Sequence, residues 1–495
     1  MESIILFLIL GAIGYVVIQK TASKITNTPL WLLWLALMLP PMIWIGWYLW
    51  NPGSKSIPPL LVIAPLILSP LVYVWLIEMG RKNPPATVMG EGNIRKEEKM
   101  DIGENNPLAG EIKPMNAEEE KALRDCFPWG VYYLQKVDYL PQAVLCLGKL
   151  MTAPDLAYNT VKANLEKVFG DRFLLLFQET IQGQPFFALV PNPYSRGRQK
   201  GKEEKLTRPF LALGLLALTL ITTTIAGATI AGITVEEMEA NPALILRGLP
   251  YSLCLILILG IHELGHYLLA LYYKIRTTLP YFIPVPFFLG TFGAFISIKE
   301  PMPHRKAAFD VAIAGPVAGF LVVVPVLVWG LAYSQVVPRV EDSGFFNLSA
   351  LDPRFSLLFA CISKMVLKGK LAAGMAIKMH PMAVAGYVGL IVTALNLIPV
   401  GQLDGGHIVH GMLGQRRAII VGQITRLLMI LLAFQRREFL IWAVFLMFMP
   451  ASAEPALNDV TELDDVRDFC GLLALVLLVS IILPLPPVVA QWLNM

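Results

Sequence analysis

Leu255-Ile-Leu-Ile-Leu-Gly260-Ile-His262-Glu263-Leu264-Gly265-His266 lies inside an apolar run, Ala243–Tyr272. That run exceeds the ~20 residues a helix needs to cross a bilayer. Residues four apart on a helix share a face, so both imidazoles can bind one Zn²⁺ ion. Glu263 is not a ligand in this pattern. It stands beside the metal position, placed to take a proton from attacking water and to return it to a leaving amine. Zinc brings the pKa of a coordinated water down to ~7, which makes hydroxide available at neutral pH. Histidine and glutamate are costly at membrane depth unless they serve a purpose; otherwise Leu, Val or Ala is expected there.

The rest of the chain has the composition such a span requires. It has 495 residues, 56% hydrophobic and 15% charged, with a mean hydropathy of +0.61. Soluble domains carry about a quarter charged residues, so the deficit indicates a polytopic membrane protein. A net charge of +4 is too small to imply nucleic-acid binding by bulk electrostatics, and no nucleic-acid partner is expected. Cys126, Cys146, Cys254, Cys361 and Cys470 are scattered without CxxC pairing. They read as reduced, packed thiols, neither a disulfide framework nor a thiolate metal site.

Three apolar runs open the chain, at 4–18, 30–50 and 59–77, the second with Trp31, Trp34, Trp44, Trp47, Tyr48 and Trp50 towards its ends, as interfacial aromatics sit. No small-residue cleavage site follows the first run and no Arg- and Ser-rich transit peptide is visible, so it reads as a retained anchor. Residues 81–206 turn polar. Asn116 followed by Ala-Glu-Glu-Glu marks a helix start; 130–139 reads as a strand, 154–169 as a helix, and 172–190 as a hairpin turning at 182–184. This is a small α+β domain with flexible flanks.

Apolar runs resume at 210–233, 243–272, 309–333, 382–398, 418–434, 439–449 and 469–489. Between the second and third of these, Leu279–Ile298 is apolar but broken by Pro280, Pro284, Pro286, Gly290 and Gly293. Such backbone at membrane depth must be shielded by protein or line a wet cavity, so it reads as a re-entrant hairpin beside a site. The expected fold is an all-α polytopic membrane protein of about 9–10 spans plus this hairpin, with the α+β domain inserted. Its expected parts are an N-terminal membrane segment (1–80), the α+β domain (81–206), a catalytic membrane core (207–414) and C-terminal membrane helices (415–495). Basic clusters at Lys20 and Lys24, Arg81 and Lys82, Arg196–Arg208, Lys274 and Arg276, and Arg305 and Lys306 fall on one face when the spans alternate. The positive-inside rule makes that face cytoplasmic, and with it the α+β domain and the mouth of the site. Gln435-Arg-Arg-Glu fits this threading poorly, which leaves the last crossings open.

A catalytic zinc needs a third protein ligand and an open position. The candidate is Asp404, in Asn396-Leu-Ile-Pro399-Val-Gly-Gln-Leu403-Asp404-Gly405, where Pro399 ends a helix and the glycines at 401, 405 and 406 allow turns. Read alone, Asp404 is as readily a helix-end aspartate. The threading nevertheless puts it near the same membrane face as His262 and His266.

HELGH in a span, with Asn-x-x-Pro…Leu-Asp-Gly at the end of a later one, resembles the site-2 protease family of intramembrane zinc metalloproteases. The resemblance covers about 210–414. It implies that His262, His266 and Asp404 are zinc ligands, that Glu263 is the catalytic base, and that Asn396 has a polar role beside the reacting peptide. Ala314-Gly315-Pro316-Val-Ala-Gly319 also resembles the family pattern, although small residues there can serve close helix packing alone. Gly92-Asn93-Ile94-Arg95 is similar to the Gly-Asn-Leu-Arg segment of the "ethylene-dependent gravitropism-deficient and yellow-green" proteases of chloroplasts, with Ile for Leu. The implied substrates are single-span or helical membrane proteins in the lipid bilayer, with a regulatory partner possible for the cytoplasmic domain. The implied location is a bacterial plasma membrane or a thylakoid-type membrane.

His304 and His380 read as interfacial. His407 and His410 follow Asp404 closely enough to orient a carboxylate or a substrate near the metal, without ligating it. Two other classes compete with a protease. A non-catalytic scaffold of the same fold would be expected to lack Glu263. A zinc transporter would show internal repeats and several mid-membrane acids, and neither is found.

Overall fold

The computed structural model describes residues 28–50, parts of 61–80, 116–140, 143–180, 183–193, 208–286, 289–340, 348, 350–435 and 439–495. The run 4–18, the segment Gly92–Arg95 and the basic linker at 196–205 lie outside the described residues. The chain forms two units, Met1–Lys113 and Pro114–Met495.

In the first unit, helix α1 (Leu30–Trp50) runs the whole length of the second apolar run. Leu33 is fully buried against Leu30, Trp34, Tyr73 and Leu76, and the Thr28 hydroxyl donates to the Leu76 carbonyl at 2.6 Å.

The second unit opens with helix α2 (Ala117–Asp125), started by Asn116, whose backbone N–H donates to the Glu119 carboxylate at 3.0 Å. Strands β1 (Tyr132–Leu140) and β2 (Ala143–Leu150), helix α3 (Pro154–Phe169) and strands β3 (Phe173–Glu179) and β4 (Pro185–Pro191) follow. Pro154 sits in the first turn of α3, where its missing N–H costs nothing, and Gly170, at φ +61°, ends it. The four strands form one antiparallel sheet in the order β1-β2-β4-β3. Apolar residues alternate onto the face that α3 covers: Tyr132, Cys146, Phe177 and Phe187 pack there against Val161 and Leu165. A contribution from far along the chain, Val460, joins this core.

Four helices among the described residues are long and apolar enough to cross a membrane: Pro209–Ile230, Pro242–Tyr272, Arg305–Ala332 and Gln415–Phe434. They make this a multi-pass membrane protein. Helix α4 (Pro209–Ile230) is followed by α5 (Leu249–Tyr272), preceded by a 3₁₀ turn over Pro242–Gly248. Helix α6 (Arg305–Ala332) keeps its course through two internal prolines, and the His304 ring accepts from the Ala307 N–H at its start. Helices α7 (Leu357–Leu367) and α8 (Pro381–Leu397) come next; His380 caps α8 by accepting from the Met382 N–H. The capping explains both histidines read as interfacial. Helices α9 (Asp404–Leu413), α10 (Gln415–Gln435), α11 (Leu440–Phe448) and α12 (Asp465–Ile482) complete the unit. The runs at 382–398, 439–449 and 469–489 thus end in helices of 17, 9 and 18 residues, shorter than the four long spans.

The proline- and glycine-broken segment is a β-hairpin. Strands β5 (Tyr281–Pro284) and β6 (Thr291–Phe295) pair antiparallel, Tyr281 opposite Phe295 and Phe282 opposite Ala294. Its ladder extends through Lys299 N–H to Arg276 carbonyl at 2.9 Å and Thr278 N–H to Ser297 carbonyl at 3.1 Å. The tip is held by protein donors: Thr222 donates to the Gly290 carbonyl at 2.7 Å, and the Tyr251 hydroxyl to the Leu289 carbonyl at 3.0 Å. These contacts supply what lipid cannot. Gly290 is at φ +81°, and a Cβ there would lie 2.5 Å from the Thr223 Cα. Gly290→Ala is therefore expected to destabilise the protein by about 1–3 kcal/mol through backbone strain and displacement of the tip; thermal unfolding of the purified chain, compared with the parent, measures it.

Candidate active site

Four elements converge on the HELGH face of α5. His262 and His266 are one turn apart and both buried, with ring centroids 4.9 Å apart. The Asp404 carboxylate reaches them from the first residue of α9. His262 Nε2 and His266 Nε2 are 3.2 Å apart, and Asp404 Oδ2 lies 3.5 Å from the first and 3.3 Å from the second. Ligands held at ~2.0–2.1 Å around a tetrahedral zinc stand roughly 3.3–3.4 Å from one another. Among the described residues, these three form the cluster able to hold a metal ion.

Proton positions argue the same way. His266 Nδ1 lies 2.7 Å from the Val311 carbonyl, which can only accept, so Nδ1 is the donor and Nε2 of the neutral ring offers its lone pair inward. The Asn396 amide nitrogen, 3.0 Å from His262 Nε2, likewise donates to a lone pair. With both rings neutral, two imidazole nitrogens and a carboxylate oxygen meet at one buried place, a donor set that suits a cation. The residues fit a zinc ion.

The sequence around Asp404 builds its approach. Helix α8 ends at Leu397, before Pro399; Gly401, at φ +55°, turns the chain, and α9 starts at Asp404. A Cβ on Gly405 would lie 2.0 Å from the Leu397 carbonyl oxygen, and one on Gly406 2.2 Å from that of Gly401. The turn is thus too tight for any side chain at either position.

Glu263, 8% exposed, faces the same cavity. The cavity holds about 320 Å³, and Ala294, Phe295, Ile296, Met302, Gln402 and His407 complete its wall. Strand β6 pairs with β5, and its last two residues, Ala294 and Phe295, line the cavity. All five residues singled out as site candidates, His262, Glu263, His266, Asn396 and Asp404, meet here. Of the two histidines after Asp404, His407 lines the cavity, whereas His410 turns away and pairs with Asp459 at 3.0 Å.

Two site-shaping residues are more specific than their motif implied. A Cβ on Gly315 would lie 2.1 Å from His266 Nε2, and one on Gly319 3.1 Å from His262 Nδ1. Gly265, in turn, rides against the Ala314 carbonyl. The small residues of Ala314-Gly315-Pro316-Val-Ala-Gly319 bring α6 onto α5 and also leave room for the imidazoles. Val311 and Asp459 carried no signal in the sequence, because a backbone carbonyl and a loop aspartate have no distinguishing pattern.

The donor set and the carboxylate beside it make this a candidate metallopeptidase site. Residues 250–434 match the model of peptidase family M50. The chain is 33% identical over 249 residues to the probable chloroplastic zinc metalloprotease EGY1 of Arabidopsis thaliana, covering 50% of this chain and 45% of that protein. It is 29% identical over 367 residues to the probable chloroplastic zinc metalloprotease EGY2 of the same plant, covering 73% and 63%. With the EGY2 of Oryza sativa subsp. indica it shares 25% over 403 residues, or 79% and 71%. The chain thus matches about half to two thirds of the length of the first two relatives. These are the chloroplast-type branch to which the sequence pointed. No solved structure matches the chain.

The geometry makes a prediction for the glycine motif. Gly315→Ala is expected to weaken zinc binding by at least about tenfold, in the range set by disturbed metal surroundings. Gly260→Ala, on the same helix as the ligands, meets nothing closer than 3.6 Å and is expected to leave it unchanged. Competition with a zinc-binding dye, on folded protein, measures both.

Proposed function

We propose that the chain is an intramembrane zinc metalloendopeptidase that hydrolyses peptide bonds of membrane-spanning protein substrates. The observation carrying this reading is the 3.2–3.5 Å triangle of His262, His266 and Asp404 donor atoms with Glu263 beside it in a buried cavity. Those three residues hold the zinc. Bound zinc supplies Lewis-acid polarisation and acidifies water. Glu263 takes the proton of the attacking water and delivers it to the leaving amine nitrogen. The Asn396 amide, within 3.0 Å of a ligand atom, is close enough to donate to the oxygen on which negative charge develops.

Substrate access follows from the bilayer. A helical substrate has its backbone hydrogen bonds satisfied internally and must unwind before its carbonyl is open to attack. Strand β6 offers an edge on the cavity side, so an unwound substrate adds to the hairpin as a strand. On this reading the α+β domain and the site mouth face the cytoplasm, and the domain screens substrates or takes a regulatory partner. Zinc transport by the same residues is disfavoured because Glu263 stands where a base is needed and the triangle is closed by protein on most sides.

Purified zinc-loaded protein is expected to cleave members of a panel of single-span membrane proteins, and Glu263→Gln to retain zinc while losing at least about 10²-fold in rate, the usual size of a general-base contribution. Equal cleavage by both proteins would remove Glu263 from the role; zinc bound stoichiometrically with cleavage by neither would favour a scaffold or a transporter. Gly290→Ala tests the strand-addition step separately. Slower cleavage at unchanged zinc content is expected, and cleavage at the parent rate would contradict it.

A further inference from the structure

Residues 457–461 lie between the sheet-bearing part of the second unit and the metal-ligating helix α9, and they are bonded to both. On the sheet side, Phe177 of β3 donates its N–H to the Leu457 carbonyl at 2.7 Å and accepts the Asp459 N–H at 2.8 Å. Val460 is buried in the sheet's own core. The Thr461 hydroxyl donates to the Asp155 carboxylate of α3 at 2.7 Å. On the other side, Leu457 and Asn458 donate to the carbonyls of Met302 and Pro303 at 2.8 and 3.1 Å, and Arg305 N–H donates to the Asn458 carbonyl at 3.2 Å.

Two buried side chains extend this junction to α9. His410 Nε2 and the Asp459 carboxylate meet at 3.0 Å, with both side chains 6% exposed. The Arg305 guanidinium, also buried, donates to the Gly411 carbonyl at 2.6 Å and 3.1 Å, satisfying the C-terminal end of α9. The helix that begins at Asp404 is therefore gripped at its far end, about 9 Å along its axis from the ligand. A short helix moves as one body, so what holds His410 sets where the Asp404 carboxylate stands.

We propose that Asp459 and His410 are positioning residues for the metal site, and that the segment 457–461 makes the geometry of Asp404 depend on docking of the sheet. The inference rests on the assignment of His262, His266 and Asp404 as metal ligands. It gives the α+β domain, which has no catalytic group of its own, a physical route to the chemistry: whatever loosens β3 or α3 from this segment loosens the third ligand.

The test is Co²⁺ titration of the full chain in detergent, read from the visible d–d absorption that reports tetrahedral ligation. Asp459→Ala is expected to weaken Co²⁺ binding about tenfold, at the lower end of the cost of disturbing a ligand's support, and to change the band's intensity while the unfolding transition persists. Asp459→Asn still accepts from His410 and should restore most of the affinity. Thr461→Val, which removes the bond to Asp155 at constant volume, carries the test if Asp459→Ala does not fold, and should weaken binding in the same direction. Unchanged affinity and spectrum in a folded Asp459→Ala or Thr461→Val would overturn the proposal. A parent chain that binds no Co²⁺ would bring down the metal assignment and this inference with it.

Discussion

The contact on which the rest depends is the close approach of α6 to the ligand face of α5. Two imidazoles one turn apart make a metal site only if their rings are held still and their Nε2 atoms face inward. Val311 does this for His266 through one 2.7 Å hydrogen bond, and Gly315 and Gly319 leave the space in which the rings stand. With the rings held, Asp404 can arrive from a distant part of the chain and complete a triangle of zinc dimensions. In lipid there is little hydrophobic gain in pressing two apolar helices together, so small residues and polar bonds carry the association.

The second constraint is the bilayer's intolerance of unpaired backbone. The β5–β6 hairpin satisfies it by pairing with itself and by taking donors from Thr222 and Tyr251. On the proposed reading, an extended peptide adds to this hairpin beside the cavity. The same logic governs residues 457–461. They bridge the sheet edge and the start of α6, so backbone groups on both sides find partners, and the inserted α+β domain is joined to the membrane part by something stiffer than a linker.

Much of this was legible beforehand because the strongest signals obey simple periods. The spacing of His262 and His266 on a helix, the Pro399 stop and the glycine cluster before Asp404 each have one geometric consequence, and helix α3 follows the limits that Pro154 and Phe169 suggested. The hairpin was legible as an interruption, though its pairing was not. The α+β reading found the strand at 132–140 and the hairpin at 173–191 but did not single out β2 (Ala143–Leu150), although Pro141 separates it from β1. Contacts between segments far apart in sequence were invisible: Val460 in the sheet core, Asp459 on His410, and Arg305 on the end of α9 follow from the fold alone. The helices at 357–367 and 440–448 are 11 and 9 residues long, shorter than the ~20 residues a single span needs.

The proposed chemistry turns on one zinc ion held by two imidazoles and one carboxylate. X-ray absorption at the zinc edge of the purified full chain tests it most directly. The account predicts one zinc per chain, ligated by nitrogen and oxygen at ~2.0–2.1 Å with the outer-shell scattering of two imidazole rings, and loss of that signal in Asp404→Ala. A zinc with sulfur ligands, or one whose surroundings are unchanged by Asp404→Ala, would contradict it.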